Sequence, residues 1–198
     1  MADDLDQRVA RRVRELRARR GLSLQALAAG SGVSRSMISV IERGEVHATA
    51  VVLERLATGL GVTLASLFDE TAQARATTPV ARAAEQPPWR DPASGYVRRN
   101  VSPAGAGSPI QIVDVSFPPG ATVAYETGDR EPPVHQQIWV LEGRIDVAWG
   151  DERHRLEAGD CYALRLDRPL SYHNPTRKPA RYAVVLVQPG ALPDRERT

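Results

Sequence analysis

Arg35, Ser36, Ser39 and Arg43 lie in the stretch SGVSRSMISVIERGE, residues 31–45, at spacings that turn them to one side of a short helix. Guanidinium and hydroxyl groups are the donors that read base edges and grip phosphates. Val33, Ile38 and Ile41 make an apolar stripe on the other side, with Met37 at its margin. Such a helix packs through one face and offers the other, which includes Val40, to a partner.

The elements that must hold this helix are legible in the surrounding periodicity. Apolar residues recur at helical spacing in five segments, headed by Leu5, Leu24, Val33, Leu53 and Leu64 and ending at Phe68. Gly21, Gly30, Gly32, Gly44 and Gly61 fall where helices should stop, and Ser23, Ser34 and Thr63 fall where N-caps belong. The pattern predicts an all-α bundle of five helices over residues 1–70, the second ending at Gly30. A turn, GSGV, then leads into the third helix, which is the layout of a helix-turn-helix.

Charge points the same way locally. The 198-residue chain has a net charge of only +2, yet residues 8–20 hold Arg8, Arg11, Arg12, Arg14, Arg17, Arg19 and Arg20 against the single acid Glu15. Alone, such a run is more often a solvated helix face than a nucleic-acid contact. A hydrophobic content of 42% suffices for an ordinary core, and no run approaches the length of a membrane span. Asp3, Asp4 and Asp6 near the start are unlike a secretory signal, so a soluble cytoplasmic protein without membrane association is expected. The single Cys161 has no intrachain partner and is read as a small buried side chain.

Residues 71–95, rich in Ala, Pro, Thr, Gln and Arg, lack periodicity and read as a linker. Beyond Tyr96 come short β-rich runs separated by turn residues: IQIVDVSF, TVAYE, HQQIWVLEG, RIDVAW, HRLEAGD, CYALRL, LSYHN and ARYAVVLVQ. Strands at that spacing predict an all-β sandwich or barrel over residues 96–190, followed by a polar tail, 191–198.

The run from RVRELRARRG through GVTLASLF resembles the XRE-type, lambda-repressor-like helix-turn-helix domain over about residues 7–69. The resemblance implies double-stranded DNA as partner. It places Arg35, Ser36, Met37 and Val40 toward the bases, with Ser39 and Arg43 nearer the backbone. Arg35 is the candidate for bidentate reading of guanine. Ser23 and Ser34, the caps, bring helix N-termini to the DNA, and Arg20 or His47 could add charged contacts. Leu24 stands where such domains often carry Gln, which removes one polar contact.

WVLEG and LEAGD, within residues 134–176, resemble the signatures of a cupin, the double-stranded β-helix or jelly-roll barrel. Metal-bearing cupins use histidines and a glutamate. Here the glutamate slot holds Gln136, the paired-histidine slots fall near Arg130–Pro132, and the last histidine slot holds Leu170. No metal, no other cofactor and no metal-dependent catalysis are therefore expected. His135 and His173 lie beside these slots, but alternation turns them to the opposite face. The same alternation turns Gln136, Ile138 and Val140 inward, with Leu170 and Tyr172, and Tyr125 joins from the preceding strand. These residues either line a pocket for a small organic ligand or fill the core. Trp139 and Trp149 have the outward parity of packing or interface residues.

The order of the two domains resembles a class of bacterial transcriptional regulators whose cupin senses a small molecule and dimerises. A homodimer on a near-palindromic operator is expected, because one recognition helix reads only a few base pairs. Two other readings stand beside it: a cupin metalloenzyme with an appended DNA-binding module, and an antitoxin-like protein-interaction module using the bundle as a docking surface.

Overall fold

The structure, a computed structural model, describes residues 2–68, 79–104, 108–128 and 132–187. Four α-helices come first: α1 (Ala2–Arg19), α2 (Leu24–Ser31), α3 (Arg35–Glu42) and α4 (Ala50–Gly59). The expected fifth helix is only a 3₁₀ turn, Ala65–Leu67. Its TLASLF segment closes i→i+3 bonds, Ser66 N–H to Thr63 O and Leu67 N–H to Leu64 O, and is too short for an α-helical ladder.

Caps set the starts of the helices. Ser23 Oγ accepts from Ala26 N–H at 3.0 Å, Ser34 Oγ from Met37 N–H at 3.2 Å and Thr49 Oγ1 from Val52 N–H at 3.3 Å. Helix α2 does not stop at Gly30 but runs to Ser31 and ends at Gly32, whose φ of +66° supplies the left-handed turn. The glycine that the α2–α4 crossing requires is Gly59 of α4, where a Cβ would lie 2.9 Å from Ser31 Cβ and 3.1 Å from Leu27 Cδ1, whereas one on Gly30 would make only ordinary contact.

Helix α3 is held from two sides. Ile38 and Ile41 are 0% and 2% exposed, buried in the bundle core with Val13, Leu27 and Leu53. At its end the Arg17 guanidinium of α1 donates twice to Glu42, at 2.6 and 2.7 Å, and once to Leu22 O at 2.9 Å. One arginine of the basic run is thus a clamp rather than a free cation.

Among the described residues ten strands build two facing sheets. The first runs β1 (Trp89–Arg90), β2 (Val97–Asn100), β3 (Ile110–Phe117), β10 (Ala180–Val187), β5 (His135–Glu142) and β8 (Cys161–Arg165). The second runs β4 (Thr122–Tyr125), β9 (Leu170–His173), β6 (Arg144–Trp149) and β7 (Glu152–Glu157), with every pairing antiparallel. Inward residues alternate as the pleat requires. On β5, Gln136, Ile138 and Val140 are buried while His135, Gln137 and Trp139 are exposed.

The expected linker is described only in part, since residues 71–78 lie outside the described residues, and the whole of the expected tail, 191–198, lies outside them too. What is described of the linker is structured. Trp89 and Arg90 pair with Arg98 and Val97, and Trp89 is 4% exposed between Phe68 and Tyr96. Burial of one indole outweighs the loop-like composition around it. Cys161 is exposed rather than buried, because edge strand β8 turns it outward.

The helical bundle is docked on the barrel. Asp91 Oδ1, just after β1, accepts the Ala50 N–H at the start of α4 at 2.9 Å, satisfying an orphan donor where the helix dipole favours a carboxylate. Trp89 Nε1 donates to Asp6 of α1 at 3.1 Å, Asn100 Nδ2 to Ala65 O at 2.9 Å and Gln111 Nε2 to Ser66 Oγ at 3.1 Å. Arg98 lies 4.5 Å over the Phe68 ring.

Arg17→Ala leaves the Glu42 carboxylate, 7% exposed at its side chain, without its guanidinium. It is expected to destabilise the helical domain by about 2 kcal/mol in urea unfolding, and an unchanged midpoint would contradict the clamp.

Candidate functional site

Two regions have the chemistry of a site. The first is the outer face of α3. Arg35, Ser36 and Met37 are exposed, Ser39 and Val40 are half-buried, and Arg43 follows at the helix end, also exposed. Ser34 Oγ lies 3.1 Å from Ser36 Oγ while capping the helix, so cap and outward face are continuous. Arg35 has no hydrogen-bond or ion-pair partner among the described residues and is free to reach outward.

Arg43 is engaged instead. Its guanidinium donates to Glu45 at 2.5 and 2.8 Å and to Ser39 Oγ at 2.5 Å. The same bonds hold the exposed Glu45 carboxyl below its ordinary range. A phosphate contact by Arg43 would exchange this pair for the new one. Ser23 is exposed at the start of α2 and capped inward, which leaves that N-terminus facing solvent. His47 contacts Asp6 at 2.6 Å and Arg20 donates to Gly61 O at 3.3 Å, so both are tethered near the bundle. Leu24 is half-buried against the core, as its apolar side chain requires.

The second region is a cavity of about 70 Å³ at the end of the barrel that meets the bundle. Tyr125, Gln136, Leu170 and Tyr172 line it, as alternation predicts, whereas Ile138 is fully buried and is not among the lining residues. Gln136 Nε2 donates to the Tyr172 hydroxyl at 2.6 Å, and the Tyr96 and Tyr125 hydroxyls lie 3.1 Å apart. Tyr172 stacks on Tyr182 with centroids 5.5 Å apart.

Several lining groups were missed in the sequence. Tyr96, Arg98, Thr127 and Tyr182 come from the barrel, and Glu54, Thr63, Leu64 and Ala65 from the bundle. Arg98 carried no inward signal in VRRN, where Val97 is the single apolar residue, and β2 was not foreseen as a strand. Glu54 carried none, because only the docked domains show that its face of α4 meets the barrel.

The residues present do not suit a divalent metal. At the two described slots, Gln136 commits its amide to Tyr172 and Leu170 offers no donor atom. The paired-histidine slot near 130 largely lies outside the described residues. Among the described residues no three His, Cys, Asp or Glu side chains gather as metal ligands. His135 is exposed, and His173 bonds Thr122 Oγ1 at 2.9 Å on the outer face, both away from the cavity.

Comparison with known proteins matches both domains. A helix-turn-helix family model matches residues 13–67 and a cupin domain model matches residues 113–187. The chain carries an XRE-type helix-turn-helix domain followed by a cupin domain. The HTH-type transcriptional regulator PuuR of Escherichia coli is 27% identical over 83% of this chain and 86% of its own length. The regulator SutR of the same organism is 26% identical over 82% and 84%. A crystal structure of an HTH_3 family transcriptional regulator from Vibrio cholerae superposes with a TM-score of 0.77 at 25% identity, covering 96% of this XRE-type, cupin-bearing chain and 99% of that one. No helix among the described residues is long and apolar enough to cross a membrane.

Burial raises the pKa of the Tyr96, Tyr125, Tyr172 and Tyr182 phenols above the ordinary tyrosine range. Because the folded values are raised, their stabilisation is complete below about pH 10 and is lost as pH climbs through the folded values. An alkaline titration is expected to show the half-buried Tyr162 ionising first, the other four appearing only as the fold opens. Smooth ionisation of all five near pH 10 in folded protein would contradict a dry cavity.

Proposed function

We propose that this protein is a sequence-specific DNA-binding transcriptional regulator that acts as a homodimer in the cytoplasm and senses a small organic molecule in its cupin cavity. The observation that carries the reading is the outer face of α3, where Arg35, Ser36 and Met37 are exposed and Arg35 is unpartnered, on a helix whose other face is fully buried. Arg35 reads base edges with Ser36, Met37 and Val40, while Ser39 and Arg43, with the caps Ser23 and Ser34, fix the register on phosphates. The similarity to PuuR and SutR over more than four-fifths of each chain supports the same role.

The cavity serves sensing rather than catalysis. Its polar groups are phenols, an amide, two threonines and one buried charge of each sign, and the two described metal slots hold Gln136 and Leu170. Dimerisation uses the outer face of the six-stranded sheet. Trp139 is 50% exposed there, with Cys161 and Ala183 as its register partners. A large exposed indole among small side chains is the anchor of a self-complementary contact, and a two-fold pair of α3 helices matches a near-palindromic operator.

Fluorescence anisotropy with the protein's own upstream DNA is the test. Arg35→Ala is expected to weaken specific binding by about 1–3 kcal/mol and relax preference at one base pair. Arg43→Ala is expected to weaken all sequences alike and reduce the salt slope by about one. Equal loss for specific and unrelated DNA in Arg35→Ala would contradict its reading role.

Trp139→Arg places a charge in the proposed dimer contact. Light scattering is expected to show a monomer, with operator affinity lowered accordingly. A dimer of unchanged mass would move the interface elsewhere.

A further inference from the structure

Strand β1 stands between the cavity and the segment by which the chain leaves α3. Residues 44–49 join α3 to α4, and residues 45–49 form neither helix nor strand, so what holds them decides where they lie. At the α4 end, Asp91 Oδ1 accepts the Ala50 N–H at 2.9 Å. Nearer α3, His47 Nδ1 lies 2.6 Å from Asp6 Oδ2, and Trp89 Nε1 donates to the other oxygen of the same carboxylate at 3.1 Å. Both anchors are themselves fixed. Asp91 is 2% exposed, and its second oxygen accepts from Ser94 N–H at 2.8 Å and from Ser94 Oγ at 2.6 Å. Trp89 is wedged between Phe68 and Tyr96. Behind both anchors stands Tyr96, a wall residue of the cavity. Its carbonyl accepts the Asp91 N–H at 2.9 Å, its ring meets the indole edge-on with centroids 6.1 Å apart, and its hydroxyl lies 3.1 Å from that of Tyr125. Close-packed neighbours transmit displacement, so a shift of Tyr96 is felt at His47 and Ala50 through Trp89 and Asp91.

We propose that Trp89 and Asp91 are positioning residues for DNA binding: they set the exit of α3 relative to the barrel, and a ligand that moves Tyr96 alters operator affinity through them. This deepens the regulator reading and rests on it, because that reading supplies the DNA that α3 contacts. Two groups of contacts between the domains then have different duties. Asn100 Nδ2 to Ala65 O, at 2.9 Å, and Gln111 Nε2 to Ser66 Oγ, at 3.1 Å, reach the 3₁₀ turn and hold the bundle against the barrel. Trp89 and Asp91 reach the segment next to α3 and fix its direction. Asp91 suits this duty, since a carboxylate at the first turn of α4 gains from the helix dipole as well as from its hydrogen bond. Undocking loses both, so docked and undocked arrangements differ in free energy, and ligand and operator each bias that difference.

The test measures the full chain by fluorescence anisotropy on its upstream operator DNA and by thermal unfolding of the same samples. Trp89→Phe removes the Nε1–H donor while keeping an aromatic ring between Phe68 and Tyr96. Asp91→Asn keeps the shape of the side chain but removes its charge at α4. Each is expected to weaken operator binding by about threefold to tenfold, the worth of one hydrogen bond, with dimer mass and affinity for unrelated DNA unchanged. Asn100→Ala breaks a contact between the same two domains, and is expected to lower the melting temperature by about 2–4 °C while leaving operator affinity as it is. Tyr96→Phe removes the hydroxyl from the cavity wall. It is expected to change operator affinity in the wild-type chain, and to change it less, by at least about threefold, in the Trp89→Phe background. Either β1 variant suffices if the other does not fold. The proposal is overturned if the folded β1 variants keep wild-type operator affinity, if Asn100→Ala weakens it as much, or if the Tyr96→Phe and Trp89→Phe effects simply add. Wild-type protein that binds no operator would remove the regulator reading itself, whereas binding that survives every variant leaves that reading standing and removes only the positioning.

Discussion

Helix α3 has eight residues, too few to be helical alone in water, so everything it does depends on what holds it. Ile38 and Ile41 bury one face, Ser34 closes its start, and the Arg17–Glu42 pair closes its end. With the inner face committed in this way, the outer residues need make no internal contacts. That freedom is what lets Arg35 remain unpartnered and lets the surface be shaped for a duplex.

The same helical bundle also closes the barrel. Asp91 caps α4, Trp89 packs between Phe68 and Tyr96, and Arg98 reaches over Phe68, so the helical and β domains share both a core and a cavity. A molecule entering that cavity touches the DNA-binding domain directly, through Glu54, Leu64 and Ala65. Coupling between sensing and DNA contact then needs no long relay, only a difference in ligand affinity between docked and undocked arrangements.

Much of this was legible in the chain. Helical spacing placed Val33, Ile38 and Ile41 inward, and strand alternation placed Gln136, Leu170 and Tyr172 inward, because both patterns follow from local backbone geometry. What escaped depended on contacts distant in sequence. Trp89 and Arg90 looked like linker because their partners lie on β2, and Arg98 went unassigned because the Phe68 it covers lies in the other domain. Arg17 was one of a run of arginines until Glu42 was seen to bind it. The need for a glycine at position 59 was equally invisible, because the close α2–α4 crossing is not a local property.

The account rests on α3 lying in the major groove. The most direct measurement is a crystal structure of the full chain bound to the genomic fragment it holds most tightly. The expected result has the Arg35 guanidinium in bidentate contact with a guanine edge, Ser36 and Val40 against neighbouring bases, and two such helices related by a two-fold axis. A complex in which the outer face of α3 points into solvent, the DNA being held elsewhere, would contradict it.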